Sequence, residues 1–301
     1  MRRWLAALGY VGLVALLLTG CGRPAGVDGA LVDDWSPLTE PTPFTPPAGV
    51  CVGGDFNRTA YLSSFNPIDC AVSHVVEIVH VGRFRGAALE RMTPPPQGSP
   101  ELRTAFAECD RKASEYVGGE WRTARLWLGV SLPSPAAWTG GSRWFRCDLN
   151  EVNNVEDGGA VTSRTSSLRG ALKGSSPLRL GCYAATFEQV EWRQAMPVAD
   201  CGEEHDSEFV GVWQAPDIPY PSEESDWDRF HAECYKVIAK YVGVPADRNI
   251  RARTGVLALP NGRDDWAAGN RGVRCYLWIP NGKMTESLKG AGSAGLPIQY
   301  R

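Results

Sequence analysis

The sequence predicts an α+β fold made of two tandem copies of a small disulfide-stapled domain, each with one helix packed on a mostly antiparallel sheet. Three observations support this prediction. The same residues recur in the same order in the two halves of the chain. Each half places β-rich stretches on either side of one amphipathic helix. Beyond Cys21, eight cysteines divide evenly between the halves.

The chain begins MRRWLAALGYVGLVALLLTGC. A pair of arginines precedes an apolar run from Leu5 to Leu18 that is too short for an ordinary membrane-spanning helix. Small residues then lead to Cys21, an arrangement that resembles the lipobox of bacterial lipoproteins. The resemblance implies a signal peptide over residues 1–20, lipid on Cys21, and attachment to the outer face of the cell membrane. The alternative is a plain secretory signal with a chance cysteine.

Residues 21–49 form a predicted tether between this anchor and the first copy. The stretch PLTEPTPFTPPAG, which ends at Gly49, is rich in proline and threonine and lacks apolar periodicity. Such a segment buries too little apolar surface to fold and favours extended backbone. It is either a spacer that reaches into the envelope or a tether without a selected length.

Charge and motifs restrict the classes of function. The formal net charge is −3 and the sequence has no basic stripe, so nucleic acid is not expected as a partner. The sequence lacks the GxSxG, HExxH and Walker motifs and a strand-linked GxGxxG, so it predicts no enzyme activity and no cofactor. No cysteine pair has CxxC spacing, which disfavours a zinc ribbon or a thioredoxin-like site.

The two halves match position by position. Each contains the pattern C-x-x-x-H-x-x-E, preceded by a cysteine nineteen residues before the first position of the pattern. Three longer segments then match in order: AECDRKASEYVG with AECYKVIAKYVG, WTGGSRWFRC with WAAGNRGVRC, and TSSLRGA with TESLKGA. So many matches in one order predict a duplication, with copies over residues 50–175 and 176–301.

Each copy predicts the same order of elements. A β-rich stretch, VVEIVHVGRF or FVGVW, is followed by a Pro-rich loop and then by a helix. In the first copy Ser99 and Pro100 suit the N-cap and the first helical position, and Gly118 suits the end of the helix. Gly243 ends the second helix in the same way. A strand, a Trp-containing loop and a strand ending at a cysteine complete each copy.

An even set of cysteines in an exported chain predicts disulfides. The helix cysteine of each copy lies on the apolar face, where it meets the cysteine of a strand beneath. The predicted pairs are Cys51–Cys70, Cys109–Cys147, Cys182–Cys201 and Cys234–Cys275. Four cysteines allow three patterns in each copy, so spacing leaves the connectivity open.

This ordered set of motifs resembles the septum formation-related domain of actinobacterial envelope proteins. The pattern C-x-x-x-H-x-x-E, a helix containing Cys and Tyr-Val-Gly, and Trp-x-x-Gly-x-Arg before a final Cys all occur twice between Cys51 and Cys275. The resemblance implies a link to division septa and no established catalytic residues. The copies differ where Val75 stands in the first and the acidic Asp206 in the second.

The repeated His and Glu are the candidate site residues. They are His74 and Glu77 in the first copy, and His205 and Glu208 in the second. A metal site needs at least a third ligand, and residues three apart on a strand point to opposite faces, so no metal is predicted. The structural interpretation is a histidine that hydrogen-bonds a loop and a glutamate that pairs with Arg143 or Arg271.

Trp138 and Trp266 are further candidates, because each is expected in a loop beside glycine and arginine. They either line a groove for sugar or peptide or cover a small core. The core interpretation is favoured because tryptophan is usually well buried.

The sequence as a whole predicts a non-catalytic, membrane-anchored lipoprotein of the cell envelope that binds an envelope protein or wall material, with a role in septum formation. The alternative is a ligand- or glycan-binding lipoprotein that uses a cleft between the copies. A hydrolase built on His205, Asp206 and Glu208 is less favoured.

Overall fold

Two five-stranded sheets, each covered on one face by a long helix, form the folded part of the chain. The computed structural model describes residues 42–54, 65–187 and 194–299. The predicted signal peptide and residues 21–41 of the predicted tether, Cys21 included, lie outside the described residues. Pro43–Arg301 form one compact unit. We call residues 42–175 the N-terminal half and residues 176–299 the C-terminal half.

The sheet of the N-terminal half has the strand order β2-β1-β3-β5-β4, and every neighbouring pair is antiparallel. Its strands are β1 (Val50–Val52), β2 (Pro67–Ile68), β3 (Val76–Arg83), β4 (Leu126–Ser131) and β5 (Trp144–Glu151). The register of β3 against β5 shifts between Ile78 and His80, which marks a β-bulge.

The sheet of the C-terminal half has the order β9-β6-β10-β12-β11, again antiparallel throughout. A two-stranded ribbon, β7 with β8, stands apart from it. The strands are β6 (Cys182–Tyr183), β7 (Thr186–Phe187), β8 (Gln194–Ala195), β9 (Val198–Ala199), β10 (Ser207–Gln214), β11 (Gly255–Pro260) and β12 (Gly272–Trp278). The register of β10 against β12 shifts between Phe209 and Gly211, at the position that corresponds to the bulge in β3.

One long helix packs on each sheet. Helix α1 (Pro100–Val117) begins as predicted, since the Ser99 side chain accepts a hydrogen bond from the Leu102 amide at 3.3 Å. It ends at Gly118, whose φ of 80° lies in the left-handed region that glycine adopts without strain. In the C-terminal half the long helix covers Glu224–Val242 and ends in the same way at Gly243.

The remaining helices are short. In chain order the helices after α1 are α2 (Pro135–Thr139), α3 (Glu224–Val242), α4 (Arg263–Ala268) and α5 (Gly292–Gly295). Single 3₁₀ turns cover Gly86–Glu90, Trp121–Thr123 and Arg248–Ala252. In the described ranges no helix combines the length and the apolarity needed to cross a bilayer.

Four disulfides join these elements. Two of them join a long helix to a strand of the sheet beneath it. The other two join the first strand of each half, β1 or β6, to the turn that follows the edge strand, β2 or β9. The pairs are Cys51–Cys70, Cys109–Cys147, Cys182–Cys201 and Cys234–Cys275, which are the pairs expected from the sequence. The helix-to-sheet bridges span 38 and 41 residues, and a bridge that closes a loop of this size stabilises a fold by about 4 kcal/mol in the chain-entropy model.

The two halves pack on one another through the segment between β5 and β6, which we call the linking segment. Alternate residues of β12 face α3, while Tyr276 on the other face packs with Val152, Val155 and Met196. The linking segment therefore covers the face of the second sheet that α3 leaves open. A second contact is made by Arg122, which fits against Gly272 so closely that a Cβ there would overlap the arginine side chain.

A buried ion pair joins the linking segment to the second sheet. The Glu156 side chain is 4 % exposed and the Arg274 side chain 6 %. The Arg274 guanidinium donates to the Glu156 carboxylate through Nε and Nη2 and to Asn261 Oδ1 at 2.8 Å. The Tyr276 hydroxyl donates to the same carboxylate at 2.5 Å. The carboxylate thus satisfies a buried cation and a buried hydroxyl together.

Replacing Glu156 should destabilise the whole compact unit. In Glu156→Ala the Arg274 charge stays buried without its acid, and breaking one partner of a buried pair lowers the free energy of unfolding by about 3–5 kcal/mol. Denaturant melts of the purified protein measure this loss. Glu156→Ala combined with Arg274→Met should recover part of the loss, because the buried charge is then gone. Glu286→Ala, at an exposed glutamate, is the control and should change stability by less than about 0.5 kcal/mol. An equal loss of stability in Glu156→Ala and Glu286→Ala contradicts a stabilising ion pair between Glu156 and Arg274.

Candidate functional site

The repeated His and Glu of the N-terminal half lie side by side in the interior. Glu77 is in β3, and His74 forms an isolated bridge with Arg164 just before that strand. A bend at Val75 separates the two and brings His74 Nε2 to 3.2 Å from Glu77 Oε1. The expectation that they point to opposite faces was wrong, because the regular strand begins only after the bend.

The Glu77 carboxylate accepts three further hydrogen bonds, from two parts of the chain. The hydroxyls of Tyr116 and Ser167 donate to Oε2 at 3.0 and 2.9 Å, and the Leu168 amide donates to Oε1 at 2.6 Å. Arg164 Nε lies 3.7 Å from Oε1. This buried carboxylate is therefore surrounded by donors, which is the condition for burying a charge.

Glu208 of the C-terminal half has the same set of partners. The Tyr241 hydroxyl donates to Oε1 at 2.5 Å, the Ser287 hydroxyl donates to the same oxygen, and the Leu288 amide donates to Oε2 at 2.9 Å. His205 differs from its counterpart. Its Nδ1 donates to the Glu203 carbonyl at 2.8 Å, and its buried Nε2 has no hydrogen-bond partner among the described residues.

The predicted pairing of the glutamates with Arg143 and Arg271 was wrong. The Arg143 guanidinium lies 4.3 Å over the Trp138 ring, and its Nη1 donates to the Trp138 carbonyl at 2.6 Å. Arg271 lies 4.7 Å over the Trp266 ring and donates through Nη2 to Asp217 at 2.7 Å. Each arginine stays beside its own tryptophan, and the segments TSSL and TESL fold back to supply the donors that the glutamates need.

Both repeated tryptophans belong to the cores. Trp138 is 0 % exposed and Trp266 is 2 % exposed, and they lie in the short helices α2 and α4 rather than in loops. Their indole N–H groups donate to the carbonyls of Arg91 and Ile218 at 2.9 and 2.8 Å. Since no ring face is accessible, they do not line a groove, and the core interpretation holds.

The three residues of the hydrolase alternative do not form one hydrogen-bonded group within the described part of the chain. Asp206 accepts from the Ala185 amide at 2.7 Å and pairs with Lys283 at 2.9 Å. Glu208 bonds the tyrosine, serine and leucine named above, and the His205 ring bonds only a backbone carbonyl. Tyr116, Ser167 and their counterparts were not among the candidates from the sequence, although their recurrence in the matched segments is a signal that points to them.

Cys51, His74 and Glu77 place one potential ligand atom each within 4.8 Å of one another. These residue types suit zinc, but the group does not fit it. The Cys51 sulfur is bonded to Cys70, so it is not the thiolate that binds metal. Both ring nitrogens of His74 face oxygen atoms of Val72 and Glu77, and the carboxylate faces donors.

The accessible candidate site is an open cleft of about 400 Å³ in the N-terminal half. It lies where β3 ends, beside α1 and the turn that precedes β5. The residues lining it with charged side chains are His80, Arg83, Arg85, Glu108 and Arg143. Of these, only Arg143 was a candidate from the sequence. His80, Arg83 and Arg85 are not repeated in the second half, whereas Glu108 recurs there as Glu233.

The family of the chain is decided by one comparison. A family model described as "Septum formation" matches residues 48–275, which include all eight disulfide-bonded cysteines of both halves. The chain belongs to the septum formation family. No curated protein and no solved structure matches it. In this family member the match therefore covers the strands of the first sheet, both long helices and the buried glutamates, and it begins after Pro43 and Thr45 of the cleft.

Replacing Tyr241 should make the septum formation protein less stable at neutral pH and less sensitive to alkali. Burial and the hydrogen bond to Glu208 raise the pKa of Tyr241 above its ordinary value. In the unfolded chain this hydroxyl ionises near pH 10, so its contribution to stability is present below about pH 10 and is lost as the pH rises further. Tyr241→Phe should lower the free energy of unfolding by about 1–3 kcal/mol at pH 7 and flatten its fall above pH 10.

Denaturant melts between pH 7 and pH 11 measure both effects. Tyr116→Phe is the matched variant in the N-terminal half, where burial also raises the pKa of Tyr116. It should act in the same direction. An alkaline slope in Tyr241→Phe equal to that of the unsubstituted protein contradicts the linkage between Tyr241 and Glu208.

Zinc should not bind the cluster of Cys51, His74 and Glu77 in the oxidised protein. Calorimetric titration with zinc should show no stoichiometric uptake, and a chelator should leave the melting temperature unchanged, because the sulfur and the carboxylate already have partners. Stoichiometric zinc in the purified protein that disappears in His74→Ala would overturn this assignment.

Proposed function

We propose that this septum formation protein is a non-catalytic component of the cell envelope that is held at the outer face of the cell membrane by lipid on Cys21. It is built from two tandem copies of one domain, and it binds an envelope protein or wall material during septum formation. The observation that carries the proposal is that the polar residues common to both halves are turned inward, where they satisfy one another.

The tandem arrangement is supported by four correspondences. Both sheets have equivalent strand orders, both central strands bulge at the same position, and both long helices are bridged to the strand at the same register. Glu77 and Glu208 also receive the same three donors. If the two halves had arisen independently, each of these four correspondences would have had to arise separately, so a duplication is the simpler explanation.

The absence of a catalytic role is supported by where the reactive side chains lie. All eight cysteines of the described residues are in disulfides, so within that part of the chain no thiolate is available as a nucleophile. The repeated His and Glu are buried at 0–2 % exposure. The repeated residues therefore stabilise the fold of each half, and any partner is bound by residues on the surface.

Placement outside the cytoplasm is supported by the disulfides, which persist in oxidising compartments. The lipobox-like sequence before Cys21 supplies the anchor in this proposal, and the Pro/Thr-rich tether supplies distance from the membrane. A single acyl chain binds membranes weakly, so stable attachment needs more than one lipid chain on this residue.

Ligand binding is the second candidate function, and the cleft beside β3 favours it. The sequence placed such a cleft between the two copies. The cleft described above is lined entirely by residues between Pro43 and Trp144, so this form of the alternative places the ligand on the N-terminal half alone.

Membrane fractionation and imaging of dividing cells test the proposal. The unsubstituted protein should sediment with membranes, carry an acylated amino terminus at Cys21, and concentrate at division sites, where crosslinking recovers a partner. Cys21→Ala should abolish acylation and either release the protein or leave its signal uncleaved. Thr19→Ala, which keeps a small residue before the cysteine, is the control and should behave like the unsubstituted protein. An unmodified mature terminus far from Cys21, or uniform distribution in dividing cells, contradicts the proposal.

A further inference from the structure

We infer that the open cleft of the N-terminal half is a binding site for an oxyanion, the carboxylate or phosphate group of a ligand, and that Arg83 and Arg85 are the residues that hold it. The inference goes beyond the proposed function, since it requires neither the lipid anchor nor a role at the septum.

The two arginines are held in place by the residue between them. Phe84 is 5 % exposed and packs in the core against Trp138 and Phe145. Because side chains alternate along extended backbone, burying Phe84 turns both Arg83 and Arg85 outward on the same side. Two guanidinium groups are thereby presented together at the end of β3.

Neither the Arg83 side chain nor the Arg85 side chain has a hydrogen bond or an ion pair with any described residue. Other arginines of the protein are neutralised, as Arg146 is by Asp148 at 2.6 Å and Arg274 by Glu156. Two adjacent, uncompensated guanidinium groups at the rim of a concave surface raise the local concentration of anions.

The rest of the lining adds to the positive potential. Glu108 is the single carboxylate among the lining residues, and it is engaged by His80, whose Nε2 lies 2.7 Å from its Oε1. Arg143 uses Nη1 for the carbonyls of Trp138 and Ser142, and its other N–H groups have no acceptor among the described residues. The cleft therefore offers N–H donors in excess of acceptors.

One wall of the cleft is formed by Pro43 and Thr45, which belong to an irregular segment before β1. The Phe44 carbonyl between them accepts from the Trp144 indole at 3.0 Å and from the Ser142 hydroxyl at 3.4 Å. These bonds fix the segment against the sheet, so the concave shape exists before a ligand arrives and little ordering accompanies binding.

The chemistry of the lining selects the ligand class. Planar guanidinium groups form paired, charge-assisted hydrogen bonds with carboxylate and phosphate oxygens. The volume of about 400 Å³ is within the range of sites for small molecules, and the open side admits the end group of a longer molecule.

The C-terminal half shows what the same fold looks like without these cations. When β10 is placed on β3 through Glu208 and Glu77, the positions of Arg83 and Arg85 are taken by Gln214 and Pro216. The position of His80 is taken by Gly211. The cationic lining is therefore not needed by the fold, and it distinguishes the N-terminal half from its counterpart.

Calorimetric titration of the full chain at low ionic strength tests the inference, with inorganic phosphate in one arm and succinate in the other. The test variant is Arg83→Gln combined with Arg85→Ala. The control is Arg229→Gln combined with Arg248→Gln, which removes two exposed cations without acceptors from the other half and changes the net charge equally. Saturable binding of at least one anion is expected, weakened about tenfold or more in the test variant and by less than twofold in the control.

The two arms show which oxyanion the cleft prefers. Tighter binding of inorganic phosphate indicates a phosphate group, and tighter binding of succinate indicates a carboxylate. Unchanged melting temperature is expected in the test variant, because both side chains are exposed and neither has a hydrogen bond or an ion pair with a described residue. If that variant fails to fold, Arg85→Ala alone replaces it, with Arg248→Gln as its control. Absence of saturable binding in both arms, or equal weakening in test and control variants, overturns the inference.

Discussion

A buried glutamate carboxylate at the start of β3 or β10 organises each half of this protein. Burying a carboxylate is unfavourable unless donors replace the water it loses. Glu77 and Glu208 obtain those donors from a tyrosine at the end of the long helix and from a serine and a backbone amide near the end of the half. One side chain thus ties the strand, the helix and the returning loop together, and none of the three can move without leaving a buried charge unsatisfied.

The disulfides hold the long helices at a second point. Each long helix is fastened to its sheet by a disulfide at its middle, and its last turn is held by the tyrosine that bonds the glutamate. A helix of 18 or 19 residues held at two points has a defined direction across the sheet. The short helices α2 and α4 add their buried tryptophans to the two cores that these long helices cover.

The two halves share this frame and differ in what is attached to it. The segment that links them covers the second sheet and contributes Glu156 to Arg274, so the second sheet is closed on both faces. The first half instead carries exposed cations beside β3, where the second has uncharged residues. The cations of the first half are therefore not part of the frame that the two halves share.

The sequence by itself determined the order of the long elements, the bounds of the first long helix and the membership in the septum formation family. It predicted the cysteine pairs, but the structure chose among the three patterns that each half allows. Capping residues and apolar spacing act within a few neighbouring positions, and they are visible wherever the chain is examined. Only the tertiary structure decided which groups the repeated glutamates bond, that the tryptophans are buried in helices, and that Arg83, Arg85 and His80 share a cleft. The donors to Glu77 lie 39 and 90 residues away along the chain, and no local pattern specifies a contact across that distance.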